Sequence, residues 1–202
     1  MYKIEEMLKY PKNLLALISY LTKFPGVGKK TAERFAFEFL NWDDNVLRDM
    51  AKLLSSLREE VQACKECGCL MEKMRCPFCL QDRKQHLMCI TANPRDVYAI
   101  EDTDTFQGVY HVLGALLSPL DGKTPENLNL SHLKTRIARL KTQELILALD
   151  PTLEGDATAL FIKEQFPNIC VSRLALGLPI GSSLYFIDSG TLSQAVSGRQ
   201  KF

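Results

Sequence analysis

The chain has 202 residues, 46% hydrophobic and 24% charged, with a formal net charge of +1. That composition is ordinary for a soluble globular protein, so a core needs no disulfides, and it excludes a global basic field: any nucleic-acid contact must come from local patches. No apolar run reaches the roughly 18 residues of a membrane span, and Met1–Tyr10 mixes Glu5, Glu6 and Lys9 with apolar residues, unlike a secretory signal. The expected location is the cytoplasm, where seven cysteines point to metal ligation or free thiols.

In chain order, Leu14, Leu17, Ile18 and Leu21 share one face at helical spacing. Pro25, Gly26 and Gly28 break that pattern, and Ala32, Phe35, Ala36, Phe39 and Leu40 restart it. Asn41-Trp42-Asp43-Asp44 reads as a cap and turn. A third helix is predicted from about Val46 to Val61, with Leu47, Met50, Leu54 and Leu57 on its apolar face. The segment from Cys64 to Cys79 is short, polar and poor in core residues. After His86 the texture becomes apolar and β-rich. Strands are predicted at Leu87–Thr91, Val97–Ile100, Tyr110–Leu117, Leu145–Leu149, Ile169–Val171 and Leu184–Ile187. Helical patterns lie at Leu130–Leu140 and Ala157–Phe166. Near-continuous apolar strands alternating with helices predict a mostly parallel α/β sheet.

Cys64-x2-Cys67 and Cys76-x2-Cys79 form two paired knuckles with eight residues between them. A tetrahedral zinc ion takes two thiolates from each such pair. Gly68 and Pro77 suit the tight turns, and Lys65, Lys73 and Arg75 can offset the thiolate charge. Cys69 is a rival thiol that breaks the paired spacing, so the expected ligand set excludes it. Four cysteine ligands leave no open position for a substrate, which makes the expected single zinc structural.

Phe24-Pro25-Gly26-Val27-Gly28-Lys29-Lys30-Thr31-Ala32 joins two amphipathic helices. The glycines permit a tight turn, and the second helix begins just after it with free amides and a positive dipole end. Lys23, Lys29, Lys30 and Arg34 surround that point. This is the pattern of a helix-hairpin-helix motif that contacts the DNA backbone without reading sequence. The competing reading is a plain helical hairpin with solvated lysines, since Glu33 and Glu38 lie close by.

Glu101-Asp102-x-Asp104 and Asp150-Pro-Thr-Leu-Glu154-Gly-Asp156 each follow a predicted strand. Carboxylates at the carboxyl ends of parallel strands can hold Mg²⁺, or can form a solvated loop and favourable helix starts. No Gly-x4-Gly-Lys-Ser/Thr loop is present. His86, His111 and His132 stand at no convincing spacing from a nucleophile.

These residues together resemble the RecR family of bacterial recombination mediators along essentially the whole chain. The carrying segments are Phe24–Arg34, the four cysteines, Pro94–Glu101, Tyr110–Gly114, Leu117–Gly122, Pro151–Thr158, Arg173–Gly181 and Gly198-Arg199. The resemblance implies an α+β multidomain fold. A helical helix-hairpin-helix region would span 1–62, a four-cysteine zinc finger 63–84, a Toprim domain 85–178 and a C-terminal segment 179–202. DNA would be held by Lys23, Gly26, Gly28, Lys29, Lys30 and Arg34. Asp96, Glu154 and Asp156 match acidic positions that bind RecO. The chain departs from the catalytic Toprim pattern at two places: Ala92 stands where a glutamate is usual, and Asp150-Pro-Thr152 replaces an Asp-x-Asp pair. An alanine neither moves a proton nor binds a metal. The implied function is therefore non-enzymatic. A dimer or ring-shaped homotetramer would bind single- and double-stranded DNA and act with RecO, and in some settings RecF, to load the RecA recombinase. Its location would be cytoplasmic and nucleoid-associated, with Leu184–Phe202 contributing to subunit contact. The alternatives are a Mg²⁺-dependent Toprim nuclease or primase, and a zinc-dependent interaction module without a DNA role.

Overall fold

A computed structural model describes residues 10–79, 82–128, 130–175 and 177–199. The reading of the first stretch as non-secretory falls mostly outside these residues, as do the last three positions of the C-terminal segment. The chain divides into two compact units, Met1–Glu59 and Glu60–Phe202.

The first unit holds three helices: α1 (Lys12–Leu21), α2 (Lys29–Phe39) and α3 (Asp44–Glu60). Leu14 and Ile18 of α1 pack on Ala32 and Ala36 of α2, bordered by Tyr10, Leu17, Leu21 and Val27. Both alanines are fully buried. Their small side chains let the two helices approach closely, and the i, i+4 spacing puts each pair on one face. Asn41–Asp44 is the expected cap and turn: the Asp43 carboxylate accepts from the amide of Asn45 at 2.8 Å. The predicted stripe of α3 has helical spacing but no core behind it, since α3 buries no residue. Met50, Leu54 and Leu57 are 36%, 63% and 52% exposed.

The second unit opens with a two-stranded antiparallel ribbon, β1 (Val61–Ala63) against β2 (Leu70–Glu72). An α/β domain follows: β3 (Lys84–Thr91), α4 (Pro94–Glu101), β4 (Gly108–Val112), α5 (Leu130–Leu140), β5 (Glu144–Ala148), α6 (Leu153–Gln165) and β6 (Cys170–Arg173). A terminal helix, α7 (Ser189–Ser197), buries nothing. The four longer strands form one parallel sheet in the order β4-β3-β5-β6. Strand β3 carries apolar residues on both faces, as a doubly covered parallel strand must. Met88 and Ile90 join Leu133, Ile137, Leu145, Ala159 and Ile162 in the larger core. Cys89, between them, joins Val97, Tyr110, Phe78 and the buried finger cysteines in the second.

Three predicted strands require correction. Val97–Ile100 lies in helix α4, not in a strand. Asn93 caps that helix, Pro94 opens it, and the Asp96 carboxylate accepts from the Asn93 amide at 2.9 Å, completing a capping box. Glu101 therefore ends a helix, and Asp102 and Asp104 follow a helix, not a strand. The strand predicted at Tyr110–Leu117 stops at Val112, because Gly114 turns the chain at φ +80°. Leu184–Ile187 contains a single 3-10 turn, Leu184–Phe186, whose side chains are 61%, 88% and 84% exposed. An apolar run with no partner strand does not extend a sheet.

Candidate functional site

The cysteine segment folds around its two turns. Gly68 takes φ +76°, a conformation costly for any other residue. A Cβ there would also stand 2.9 Å from both the Cβ and the carbonyl oxygen of Val112. The Gly68 amide donates to Cys64 O at 2.8 Å, and the Cys64 amide donates to Cys69 O at 2.7 Å. Lys73 and Met74 both adopt positive φ in the turn leading to the second knuckle. Pro77 then opens a 3-10 turn that ends at Cys79.

This path gathers the sulfurs of Cys64, Cys67, Cys76 and Cys79 within 4.8 Å of one another. Cys69 stays out of the cluster although it is fully buried. The Cys64–Cys79 sulfurs are 3.9 Å apart and the Cys67–Cys76 sulfurs 3.4 Å. A tetrahedral ion with thiolates about 2.3 Å away would hold sulfurs about 3.8 Å apart, so the donor set fits such an ion. The chemistry agrees. Burial pushes the Cys76 thiol up to about 11. The neighbouring thiol of Cys69, then burial, push Cys67 up as well. Four such sulfurs can all be anionic together only around a cation. The four cysteines can thus hold a metal ion.

The cluster is bolted to the sheet edge. The Val112 amide donates to Cys67 O at 2.7 Å. Phe78, between the second pair of ligands, is buried and stands edge-on to Tyr98 and Tyr110, with centroids 5.7 and 5.6 Å away. Arg139 of α5 pairs with Glu66, between the first two ligands. The cations expected to balance the thiolates, Lys65, Lys73 and Arg75, are all exposed. A buried arginine lies nearby: Arg136 of α5 is 3% exposed and lines a cleft of about 170 Å³ with Cys79, Glu66 and Arg139. Nothing in the local sequence signals it.

In the first unit, the hairpin turn is open. Gly26 takes φ +79°, and a Cβ at Gly26 or Gly28 would meet nothing within 4 Å. Gly28 precedes the first turn of α2 with extended backbone and no side-chain cap, so no capping side chain satisfies that turn's amides. Lys23, Gly26, Gly28, Lys29, Lys30 and Arg34 are all exposed. The ammonium of Lys23 rests over the Tyr20 ring at 4.8 Å, and the Arg34 guanidinium over Phe35 at 5.7 Å. The arrangement leaves a cationic, ligand-accessible helix start.

At the carboxyl edge of the sheet, Thr91 lies opposite Ala148, so Ala92 and Asp150 leave the sheet at the same end. Ala92 is buried in the core. Thr152 caps α6, accepting from the Gly155 amide at 3.1 Å. Of the acids matched to partner binding, Asp96 is engaged in its capping box, Glu154 is exposed on the first turn of α6, and Asp156 pairs with Arg173 at 2.6 Å. Glu101 belongs elsewhere. It accepts from Arg83 and from the Tyr110 hydroxyl at 2.6 Å each. Partial burial raises its carboxyl, but these bonds outweigh burial and hold it below the ordinary carboxylate value. It is a structural link between α4 and β4.

A helical hairpin, a four-cysteine cluster and a Toprim-like α/β sheet in that order define a class of multidomain nucleic-acid-handling chain. The matches to known families follow the same order: the RecR helix-hairpin-helix at residues 14–58, the Toprim domain at 86–175 and the RecR C-terminal family at 177–200. Relatives called Recombination protein RecR align along nearly the full chain. That of Protochlamydia amoebophila is 49% identical over 198 residues, 96% of this chain and 100% of its own. That of Chlamydia abortus is 50% identical over 200 residues, 97% of this chain and 100% of its own. That of Chlamydia trachomatis serovar D is 47% identical over the same shares. The chain belongs to the RecR family. No helix among the described residues is long and apolar enough to cross a membrane.

Proposed function

We propose that this protein is a non-enzymatic mediator of recombinational DNA repair. It binds single- and double-stranded DNA through Lys23, Gly26, Gly28, Lys29, Lys30 and Arg34. With RecO, and RecF where present, it helps the RecA recombinase take over gapped DNA. One structural zinc ion per chain is held by Cys64, Cys67, Cys76 and Cys79. Asp96, Glu154 and Asp156 form the RecO-facing set, and the working form is a dimer or homotetramer in the cytoplasm, associated with the nucleoid.

The observation that carries this reading is the open hairpin turn. Its exposed cations and uncapped helix start offer phosphate ligands without base-reading side chains, as a mediator of general sequence preference needs. Other features support the rest. The uncovered apolar stripe of α3 suits a subunit interface. The buried Ala92 and the capping role of Thr152 remove two carboxylates from the edge where a Toprim enzyme would hold Mg²⁺, which disfavours the nuclease or primase alternative.

The test is a fluorescence titration of DNA over a range of salt concentrations, with Mg²⁺-dependent cleavage followed in the same samples. The expected result is affinity falling steeply with salt, with a log–log slope near −0.9 per duplex phosphate contacted, and intact DNA. Absent or salt-independent binding would remove the DNA role, and Mg²⁺-dependent cleavage would restore the enzyme alternative.

A further inference from the structure

The hairpin turn carries two aromatic rings that a phosphate contact does not use. Tyr20 lies in the last turn of α1, and Phe24 in the loop that follows it. They are 64% and 60% exposed. The Val27 amide donates to the Phe24 carbonyl at 3.1 Å across Pro25 and Gly26, and Gly26 takes φ +79°. That is a tight turn with glycine at its third position, so Phe24 stands at the entrance of a fixed loop. Tyr20 is tied to the same loop, because the Lys23 amide donates to its carbonyl at 3.1 Å.

A single exposed ring is ordinary. These two differ from other rings of the unit in what surrounds them. Tyr10 meets Phe37 edge-on with centroids 5.5 Å apart, and Phe39 meets Trp42 at 4.7 Å. Among the described residues neither Tyr20 nor Phe24 has such a ring partner. The neighbour of the Tyr20 ring is the Lys23 ammonium, 4.8 Å from its centroid. The charge around the pair is of one sign: Tyr10 to Ala32 contains Lys12, Lys23, Lys29 and Lys30 and no Asp or Glu. The exposed stripe of α3 is different in kind. It is aliphatic, and its helix also bears Asp44, Asp49 and Glu60, as suits a protein surface. Flat rings among cations alone suit a ligand that is both anionic and flat-faced.

Unpaired nucleobases on a phosphate backbone have that chemistry. In grooves for single strands, cations follow the backbone while bases stack on aromatic side chains, and the stacking is sequence-tolerant because every base has a π-face. We propose that Tyr20 and Phe24 form a base-stacking platform beside the phosphate contact, so that the hairpin holds single-stranded DNA by its bases as well as its backbone. In a duplex the base faces are covered by neighbouring pairs, and only the phosphate contacts remain. The platform thus biases one site toward single strands without reading sequence. It rests on the reading of this turn as the DNA contact.

The experiment compares the full chain with Tyr20→Ala, Phe24→Ala by fluorescence anisotropy at fixed salt. Three probes are used: an oligothymidylate, an abasic strand of equal length and a blunt duplex. Wild type should bind the oligothymidylate about 10-fold or more tightly than the abasic strand. The double variant should lose that margin, binding the two strands alike, and should keep its duplex affinity. If the alanine variant does not fold, Tyr20→Leu, Phe24→Leu carries the test, since leucine keeps apolar bulk without a stacking face. Wild type that does not distinguish the two strands would overturn the platform. So would a folded variant that keeps the margin, or one that loses duplex and single-strand binding equally. Wild type that binds none of the probes would instead refute the DNA reading beneath it.

Discussion

The amide of Val112, the last residue of β4, donates to the carbonyl of Cys67 across 2.7 Å. One candidate metal ligand is thus hydrogen-bonded directly to the edge of the parallel sheet. The cysteine cluster extends the α/β domain at this edge instead of hanging from it as a separate bead.

The same joint depends on Phe78. Its ring is 5% exposed and wedged between Tyr98 and Tyr110. Phe78→Ala should lower stability by about 3–5 kcal/mol, the usual cost of deleting a buried aromatic ring. Urea unfolding of the zinc-loaded chain measures it. A loss under about 1 kcal/mol would mean that the ring does not hold the finger to the sheet.

His111 makes stability depend on pH in a defined direction. Burial, reinforced by Arg136 and His132, lowers its value from 6.5 to about 3. As pH falls below about 6.5 the unfolded chain binds a proton that the folded chain refuses. Stability is therefore full above that value and drains away toward about pH 3, by up to about 1.4 kcal/mol per pH unit. Thiol protonation adds its own slope, so the informative quantity is the difference from His111→Gln. Wild type should lose more stability than the variant between pH 7 and pH 5; parallel curves would contradict the assignment.

Two glycines should respond oppositely to alanine. At Gly155 a Cβ would lie 2.0 Å from Asp150 O, inside the turn between β5 and α6. Gly155→Ala should cost roughly 2 kcal/mol or more, as backbone has to move. At Gly28 a Cβ meets nothing within 4 Å, so Gly28→Ala should stay within about 1 kcal/mol of wild type. Thermal unfolding of both variants settles the contrast, and equal losses would contradict it.

The proposed RecO-facing pair on α6 offers a test that distinguishes partner binding from DNA binding. Asp156 is 55% exposed in its ion pair with Arg173, and an exposed pair contributes only about 0–1 kcal/mol. Glu154→Ala with Asp156→Ala should therefore leave the fold and DNA affinity intact while weakening RecO binding about 10-fold or more, the loss typical of an interface hot spot. Calorimetric titration with RecO reads this directly. Unchanged RecO affinity would move the interface elsewhere.

Much of this architecture was legible in the residues. The x2 spacing of the cysteines picks out the same four that cluster in space and sets Cys69 aside. The helical stripe of Leu14 and Ile18 against Ala32 and Ala36 is the core of the first unit. The reading of Val97–Ile100 as a strand failed because a short apolar run fits either period. The decisive signal lay just upstream in Asn93-Pro94-Arg95-Asp96, a helix start with its capping box. Glu101 looked like a strand-end acid only because that helix was missed. Arg136 was beyond reach for a different reason. Local charge near a ligand is visible in sequence, but a buried cation on a later helix comes beside the finger only once the sheet has brought α5 there.

The central claim is that the open hairpin turn is the DNA contact. The most direct measurement is the DNA affinity of Lys23→Glu with Lys29→Glu and Lys30→Glu, compared with wild type at fixed salt and over a salt series. All three side chains are exposed, so the fold should persist by circular dichroism. Binding should fall by about 10-fold or more, with a shallower salt dependence as phosphate contacts are lost. A folded triple variant that binds DNA as wild type does would contradict the account.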